Sequence, residues 1–341
     1  MPDFAEIARD STPPDFDYIP GMVDVLTIPG FDDICFAAAR LRGIIRRTPV
    51  IPLELPGLES VRIALKCENL QVSGSFKYRG VNNAMALLQS VADGRAVATH
   101  SSGNHGYALA HAAKRVGVSA HVVVPTTISI AKYQLIRDCD AHVYQCDPTV
   151  AAREAMLASV VAETDAAIIH PYDDANVIAG QGTAALELLE DEPELDVIIA
   201  PVSGGGLMSG TALAAHGVEP AIEVLGAEPE LAGDAAISLS TGFLSAPFPT
   251  GGSTIADGLR ASLCERTFTI LSRHVGHVIT VSEAEIMAAM RLVWERAKLV
   301  IEPSSAVPIA AILRESKRFQ GKRVGVIVTG GNVALDEVPW K

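Results

Sequence analysis

Residues 196–217 read DVIIAPVSGGGLMSGTALAAHG. An apolar, β-branched run ends at Val202, four small residues follow, and an Ala-rich stretch begins near Leu207. That is a strand, a tight turn and a helix in succession. The strand shows no polar–apolar alternation, so both of its faces must be covered, as in a parallel sheet with helices on each side. The same unit recurs along the chain. Strand candidates are 61–68, 95–101, 119–125, 141–146, 166–171, 196–203, 222–229, 277–282 and 324–331, with helical stretches between them. This strict alternation predicts an α/β protein built on open, twisted parallel sheets. At 341 residues the chain is too long for one ordinary core, and two such sheets fit the length. An amphipathic helix with an Asp cap is expected over residues 32–46, after a Pro-, Asp- and Gly-rich arm over 1–30.

Hydrophobic residues make up 49% and charged residues 20%, a folding composition that excludes wholesale disorder. The formal net charge is −13. The densest basic cluster, Arg40, Arg42, Arg46 and Arg47, reads as a solvated helix end. A nucleic-acid or anionic-membrane partner is therefore not expected. No apolar run approaches the roughly 18 residues of a membrane span. The first residues carry acids where a secretion signal carries bases and an apolar stretch. The cysteines (Cys35, Cys67, Cys139, Cys146, Cys264) are odd in number and form no CxxC pair. A disulfide framework and a zinc knuckle are not expected, which points to a reduced, cytoplasmic protein.

In open α/β sheets ligands bind beyond the carboxyl ends of the strands. Three junctions there are rich in Gly, Ser, Thr and Asn: THSSGNHG (99–106), PVSGGGLMSG (201–210) and VTGGNV (328–333). In the second, glycines let the backbone turn its N–H groups toward one point, and a helix N-terminus adds a positive dipole. This reads as a phosphate cup over Ser203, Gly204, Gly205, Gly206 and Leu207. It is not a dinucleotide fingerprint, because Ser209 stands where the third glycine belongs and no ribose-binding acid follows. It is not a P-loop, since no Gly-Lys-Ser/Thr follows. In THSSGNHG, N–H groups at a helix start can hold a carboxylate, and the Asn104 amide can donate to an oxygen anion. His105 reads as a base or as a structural donor. In SGSFKYRG (73–80), Lys77 sits among aromatic and small residues. Desolvation there would lower its pKa and make it a Schiff-base former, although an ordinary exposed lysine is the plainer reading of that stretch alone.

Taken together and in this order, SGSFKYRG, SSGNHG, the Gly loop and VTGGNV resemble a β-family (fold type II) pyridoxal-phosphate enzyme. GAEPELAGD (226–234), IADGL (255–259) and LVWERAKLVIEPSSA (292–306) add to the likeness, which runs from about Asp32 to Asp336. It is most similar to serine racemase and the catabolic serine/threonine dehydratases. The resemblance implies a large cofactor-binding domain over 31–95 and 174–341, with a small substrate domain, 96–173, inserted in it. Lys77 would hold the cofactor aldehyde, Phe76 would pack on the ring, and Asn104 would donate to the ring 3′ oxygen. The phosphate would sit in Ser203–Leu207, and Thr329 would meet the pyridine nitrogen as a neutral partner. Ser101, Ser102, Gly103 and His105 would hold the substrate carboxylate. Freed Lys77 would remove the α-proton, the β-hydroxyl would leave, and the product would hydrolyse to a keto acid and ammonia. Ser102 corresponds to the residue on the opposite face, where a hydroxyl permits reprotonation and so racemisation.

Further implications concern metal and substrate. Glu228, the Ala232 carbonyl and Asp234 match a site for a divalent cation, and oxygen ligands suit magnesium, calcium or manganese. Arg153 matches an arginine that approaches the substrate pocket in serine racemase-like proteins. A guanidinium there suits the second carboxylate of 3-hydroxyaspartate, while a surface arginine fits the helix equally well. The chain departs from serine racemase at Tyr172, an asparagine there, and at Ala261, a serine there, which puts serine as substrate in doubt. It also ends about ten residues after VTGGNV, so the regulatory region of biosynthetic threonine dehydratases is not expected. A homodimer is expected by resemblance. The expectation is a dehydratase of serine, threonine or 3-hydroxyaspartate, with a racemase as the alternative. β-Replacement, a dinucleotide-dependent oxidoreductase and a non-catalytic binding protein are the competing readings.

Overall fold

The computed structural model describes residues 26–88, 93–101, 103–246 and 253–340. The strands in chain order are β1 (Val50–Leu53), β2 (Arg62–Cys67), β3 (Val97–His100), β4 (Ala120–Pro125), β5 (His142–Cys146), β6 (Ala167–Ile168), β7 (Val197–Pro201), β8 (Glu223–Pro229), β9 (His277–Val281) and β10 (Arg323–Val328). The longer helices are α1 (Phe31–Leu41), α2 (Lys77–Leu87), α3 (Asn104–Val116), α4 (Ile130–Arg137), α5 (Val150–Thr164), α6 (Ala175–Asp191), α7 (Gly206–Val218), α8 (Asp234–Thr241), α9 (Glu265–His274), α10 (Glu283–Ala297) and α11 (Pro303–Arg314).

Two sheets form. One has six strands in the order β1-β2-β10-β7-β8-β9, and the other four in the order β5-β4-β3-β6. All pairings are parallel except β1 with β2. Alternate residues of each strand serve opposite faces. In β7, Val197 and Ile199 join a core with Met290, Val293 and Ile309 of α10 and α11. Ile198 and Ala200 join another with Leu188, Met208 and Leu271 of α6, α7 and α9. The small sheet is covered by Leu109 and Ile136 on one side and by Leu157 and Val160 of α5 on the other. This is the doubly covered α/β architecture that the unalternating apolar strands require.

Local chemistry fixes the ends. Asp174 caps α6 by accepting from the N–H groups of Asn176 (2.8 Å) and Val177 (3.1 Å). Ser282 and Glu285 form a reciprocal capping box on α10. Helices α6 and α7 approach so closely that a Cβ on Gly210 would lie 2.5 Å from the Gly182 nitrogen. The first helix is shorter than expected: it stops at Leu41, and Gly43 takes φ +73°. Strand β1 escaped the sequence reading because Pro52 interrupts it; as an edge strand it tolerates a residue without an N–H. Most of the expected N-terminal arm, residues 1–25, lies outside the described residues.

Candidate active site

The loops that leave the carboxyl ends of β2, β3, β6, β7 and β10 converge on a cavity of about 300 Å3. Its wall includes Phe76, Lys77, Ser101, Asn104, His105, Arg153, Tyr172, Ser203 to Leu207 and Thr329. Residues as far apart in the chain as Phe76 and Thr329 are thus brought to one place. Larger surface grooves of about 840 and 620 Å3 lie elsewhere and contain none of these loops.

Lys77 opens α2. Its Nζ donates to the Pro171 carbonyl (2.7 Å) and stands 5.0 Å from the Phe76 ring centroid. Desolvation pushes its pKa down to about 8, with no carboxylate beside it to oppose the shift. The Phe76 N–H donates to the Thr329 carbonyl (3.0 Å), which locks the turn before Lys77 to the end of β10. The Thr329 hydroxyl is 2.9 Å from that of Ser305, so this position holds a neutral hydroxyl pair.

The loop after β7 contains two left-handed residues, Ser203 (φ +55°) and Gly205 (φ +82°). Glycine suits the second by conformation and by space, because a Cβ there would lie 2.7 Å from Thr267. The Ser203 hydroxyl accepts from the Ala261 N–H (3.3 Å). Helix α7 starts at Gly206, and the N–H groups of its first turn have no acceptor within the helix.

Helix α3 starts at Asn104 beside the cavity. Asn104 Nδ2 donates to Glu302 Oε1 (2.6 Å), and its Oδ1 accepts from Asn332 Nδ2 (3.0 Å). His105 is buried, and its Nε2 donates to the Ile169 carbonyl (3.1 Å). Burial holds its pKa well below the usual histidine value, and the Lys77 charge adds to the effect. Its side chain is thereby committed to the fold, and the part left to an anion is its backbone N–H at the helix start. Ser101 Oγ accepts from the Gly103 N–H (3.0 Å). Ser102 lies outside the described residues.

Several cavity residues carry no signal in the linear sequence. Buried Lys132 pairs with Asp257 (2.6 Å) and with Glu302 (3.2 Å, off the line of a hydrogen bond). Desolvation pulls its pKa down, but Glu302 and Asp257 outweigh that and keep it charged. Burial raises the Glu302 carboxyl, and Lys132 opposes the rise. Asp257 and Glu302 fall inside IADGL and LVIEPSSA, which is the one hint the sequence held. His100 is buried and neutral, pushed down to about 4 by desolvation and by Arg153. His170, at about 3 through desolvation and the nearby His100, uses Nδ1 to accept from the Asp173 N–H (2.8 Å).

Arg153 projects from α5 into the cavity wall. Its Nε donates to the Thr149 carbonyl (3.4 Å), and among the described residues it has no carboxylate partner. Tyr172 lays its ring over the cup, 2.6 Å from where a Gly204 Cβ would be, and edge-on to His170 at 4.7 Å. Burial pushes its hydroxyl up to about 12, so it stays a neutral donor. That hydroxyl has no protein partner among the described residues.

Behind the cup, β8 carries Glu228, wholly buried, and the turn beyond it carries Ala232 and Asp234. Glu228 Oε2 accepts from the Ala236 N–H (3.0 Å), whereas Glu228 Oε1 and Asp234 Oδ2 are buried without a partner. Desolvation, then the mutual repulsion of the two acids, raises the Glu228 pKa well above the usual range. No cluster of three or more His, Cys, Asp or Glu side chains suited to a metal occurs among the described residues.

Two parallel sheets, a desolvated lysine and a Gly-rich turn opening a helix at the strand ends are what a lysine-bound, phosphate-bearing cofactor requires. A family profile described as pyridoxal-phosphate dependent enzyme matches residues 41–330, and the chain belongs to that family. The chain is 44% identical to the β-hydroxyaspartate dehydratase of Paracoccus denitrificans over 314 residues, covering 92% of this chain and 99% of that one. It is 44% identical to the serine racemase of Dictyostelium discoideum over 312 residues, covering 90% and 95%. A solved pyridoxal 5′-phosphate-dependent aspartate racemase superposes with a TM-score of 0.86 at 36% identity, covering 92% and 98%. The residues present fit the cofactor: the lysine has a depressed pKa, a helix start at the Gly-rich turn offers N–H groups, and the Thr329–Ser305 hydroxyl pair is a neutral partner available to a ring nitrogen. Among the described residues, no helix is long and apolar enough to cross a membrane.

Proposed function

We propose that this enzyme eliminates water from a β-hydroxy amino acid, and that the substrate is 3-hydroxyaspartate. The observation that carries the choice of substrate is Arg153, a guanidinium in the cavity wall without a carboxylate partner among the described residues. Around it stand the Tyr172 hydroxyl and the neutral His100, so this corner offers donors to an anion. The dehydratase and aspartate racemase relatives support the reading, since both names imply a substrate with two carboxylates.

The cofactor, held by Lys77, supplies an electron sink for the Cα–H bond. Ser203 to Leu207 would take its phosphate, Phe76 would pack on its ring, and Asn104 and Thr329 would be its polar partners. The His105 N–H in the first turn of α3, with Ser101, Ser102 and the Gly103 N–H once it leaves Ser101 Oγ, would take the α-carboxylate. The Lys77 amine would accept the α-proton; its lowered pKa leaves a usable neutral fraction at neutral pH. The Cα–H electron pair becomes the Cα=Cβ bond, and the β-hydroxyl leaves as water, carrying off the proton that Lys77 took up. The enamine product tautomerises to an imine, and water converts it to the keto acid and ammonia.

A divalent cation (magnesium, calcium or manganese) at Glu228, Asp234 and the Ala232 carbonyl completes the proposal, supported by the two orphaned carboxylate oxygens. The domain division, 96–173 within 31–95 and 174–341, is supported by β3 to β6 falling inside the insert. A homodimer in the cytoplasm is part of the same reading. The racemase alternative is favoured by the identity to serine racemase and rests on Ser102 as the second proton donor. Keto-acid production across L-Ser, D-Ser, L-Thr and the 3-hydroxyaspartate isomers, with chiral analysis of recovered amino acid, decides. Inverted amino acid in place of keto acid refutes the dehydratase, and preference for serine refutes the choice of substrate.

A further inference from the structure

The amide of Asn104 is held from two sides. A carboxylate has no hydrogen to give, so the 2.6 Å contact with Glu302 Oε1 must come from the Asn104 NH2. The opposite contact confirms the sense, because Asn332 Nδ2 is the donor to Asn104 Oδ1 (3.0 Å). The other hydrogen of Asn332 goes to the Ser73 carbonyl (2.9 Å). Asn332 is itself confined, since its Oδ1 lies 2.3 Å from where a Cβ on Gly74 would be. The Gly331 N–H donates to the Gly74 carbonyl (3.0 Å), tying the same two loops together. One side chain beyond β10 thus joins the turn that carries Lys77 to the start of α3.

We propose that Asn332 is a positioning residue that fixes the amide of Asn104, so that an N–H and never the carbonyl is what Asn104 offers to the cofactor. This rests on the reading that Asn104 donates to the ring oxygen. That oxygen is an acceptor when ionised, and a flipped amide would set carbonyl against it. Without Asn332 the amide is held from the Glu302 side alone. With aspartate in its place, anions would flank Asn104 on both sides, and a single NH2 cannot point at both.

The test compares the holoenzyme with Asn332→Ala, Asn332→Asp and Asn104→Ala. The readouts are cofactor retention on dilution, the visible absorption band of bound cofactor across pH, and thermal unfolding. Asn332→Ala is expected to weaken retention about tenfold, the loss of one oriented hydrogen bond. It is also expected to move the pH profile of the band toward that of Asn104→Ala. Asn332→Asp is expected to do both more strongly, with kcat falling more than KM rises. Wild-type retention and a wild-type band in Asn332→Ala would overturn the proposal, and that variant alone decides if Asn332→Asp does not fold. If Asn104→Ala shifts the band and Asn332→Ala does not, only the positioning role falls. If Asn104→Ala is itself unchanged, the reading of Asn104 falls with it.

Discussion

On the proposed reading, replacing Arg153 with alanine removes the cation that would distinguish a dicarboxylate from serine. The fold should hardly register the change. The residue is half-buried, and its hydrogen bond is a 3.4 Å contact to Thr149 at the start of its own helix. A surface-like change of this kind alters stability by about 0.5 kcal/mol or less. For substrate the loss is larger. Hydrogen bonds to a charged group contribute about 1.5–3 kcal/mol each, and truncation also leaves a carboxylate in a cavity without its countercharge. A total of about 2–4 kcal/mol corresponds to a fall in kcat/KM of roughly 30- to 1,000-fold on 3-hydroxyaspartate. Turnover of serine, which has nothing to present to Arg153, should change by less than about threefold. Arg153→Lys keeps charge but loses the fork, and should fall between the two. The assay is initial-rate keto-acid formation from both substrates with wild type and both variants, alongside thermal unfolding. Equal losses on serine and 3-hydroxyaspartate would refute the assignment of Arg153 to the second carboxylate.

Lys77 should be trapped with its cofactor by borohydride, and Lys77→Ala should abolish turnover; a labelled peptide lacking Lys77, or residual wild-type rates, would contradict its role. In the cofactor-free protein its depressed pKa means the folded state binds fewer protons than the unfolded state between about pH 8 and 10.5, so stability gains from Lys77 as pH rises through that window. Lys77→Met should therefore be more stable than wild type by about 2–3 kcal/mol at pH 7, and the gap should close toward pH 10.5 in urea unfolding; a constant gap would show that the lysine is not desolvated. Magnesium, calcium or manganese should raise the Tm of wild type by roughly 2–4 °C per kcal/mol of binding linkage, and Glu228→Gln should not respond. Leu109→Ala, in the fully buried core between α3 and the small sheet, should destabilise by about 2–5 kcal/mol in chemical unfolding, and a loss under 1 kcal/mol would contradict its packing.

The parallel sheets were legible because a strand buried on both faces is apolar nearly throughout, as β7 is and as β4 is apart from His121. The Gly-rich turn after β7 was legible for a similar reason: left-handed backbone and a close approach restrict which residues can stand there. What stayed hidden is partnership at long range. Asn104 meets Glu302 across 198 positions and Asn332 across 228, and Lys132 meets Asp257 across 125. Nothing in the local pattern of a polar residue says whether it will be buried beside an opposite charge. Of the two readings of His105, a base or a structural donor, the fold takes the second, because its Nε2 is bonded to the Ile169 carbonyl. Tyr172 stands out in the sequence only as a departure from a family pattern, and its ring contact with the Gly-rich turn depends on the meeting of two loops.

Helix α2 belongs to both halves of the molecule. Its start is fastened to the loop after β10, through Phe76 and the bridge between Ser75 and Gly330. Its body, through Tyr78, Val81, Ala84 and Met85, is packed with Leu109, Val122 and Ile136 around the small sheet. Its middle is also pressed against α6, where a Cβ on Gly180 would lie 2.6 Å from the Gly80 Cα. The helix is therefore a keystone: the residue at its tip, Lys77, takes its position from both sheets at once, and a change in either layer that shifts α2 is felt at the amine.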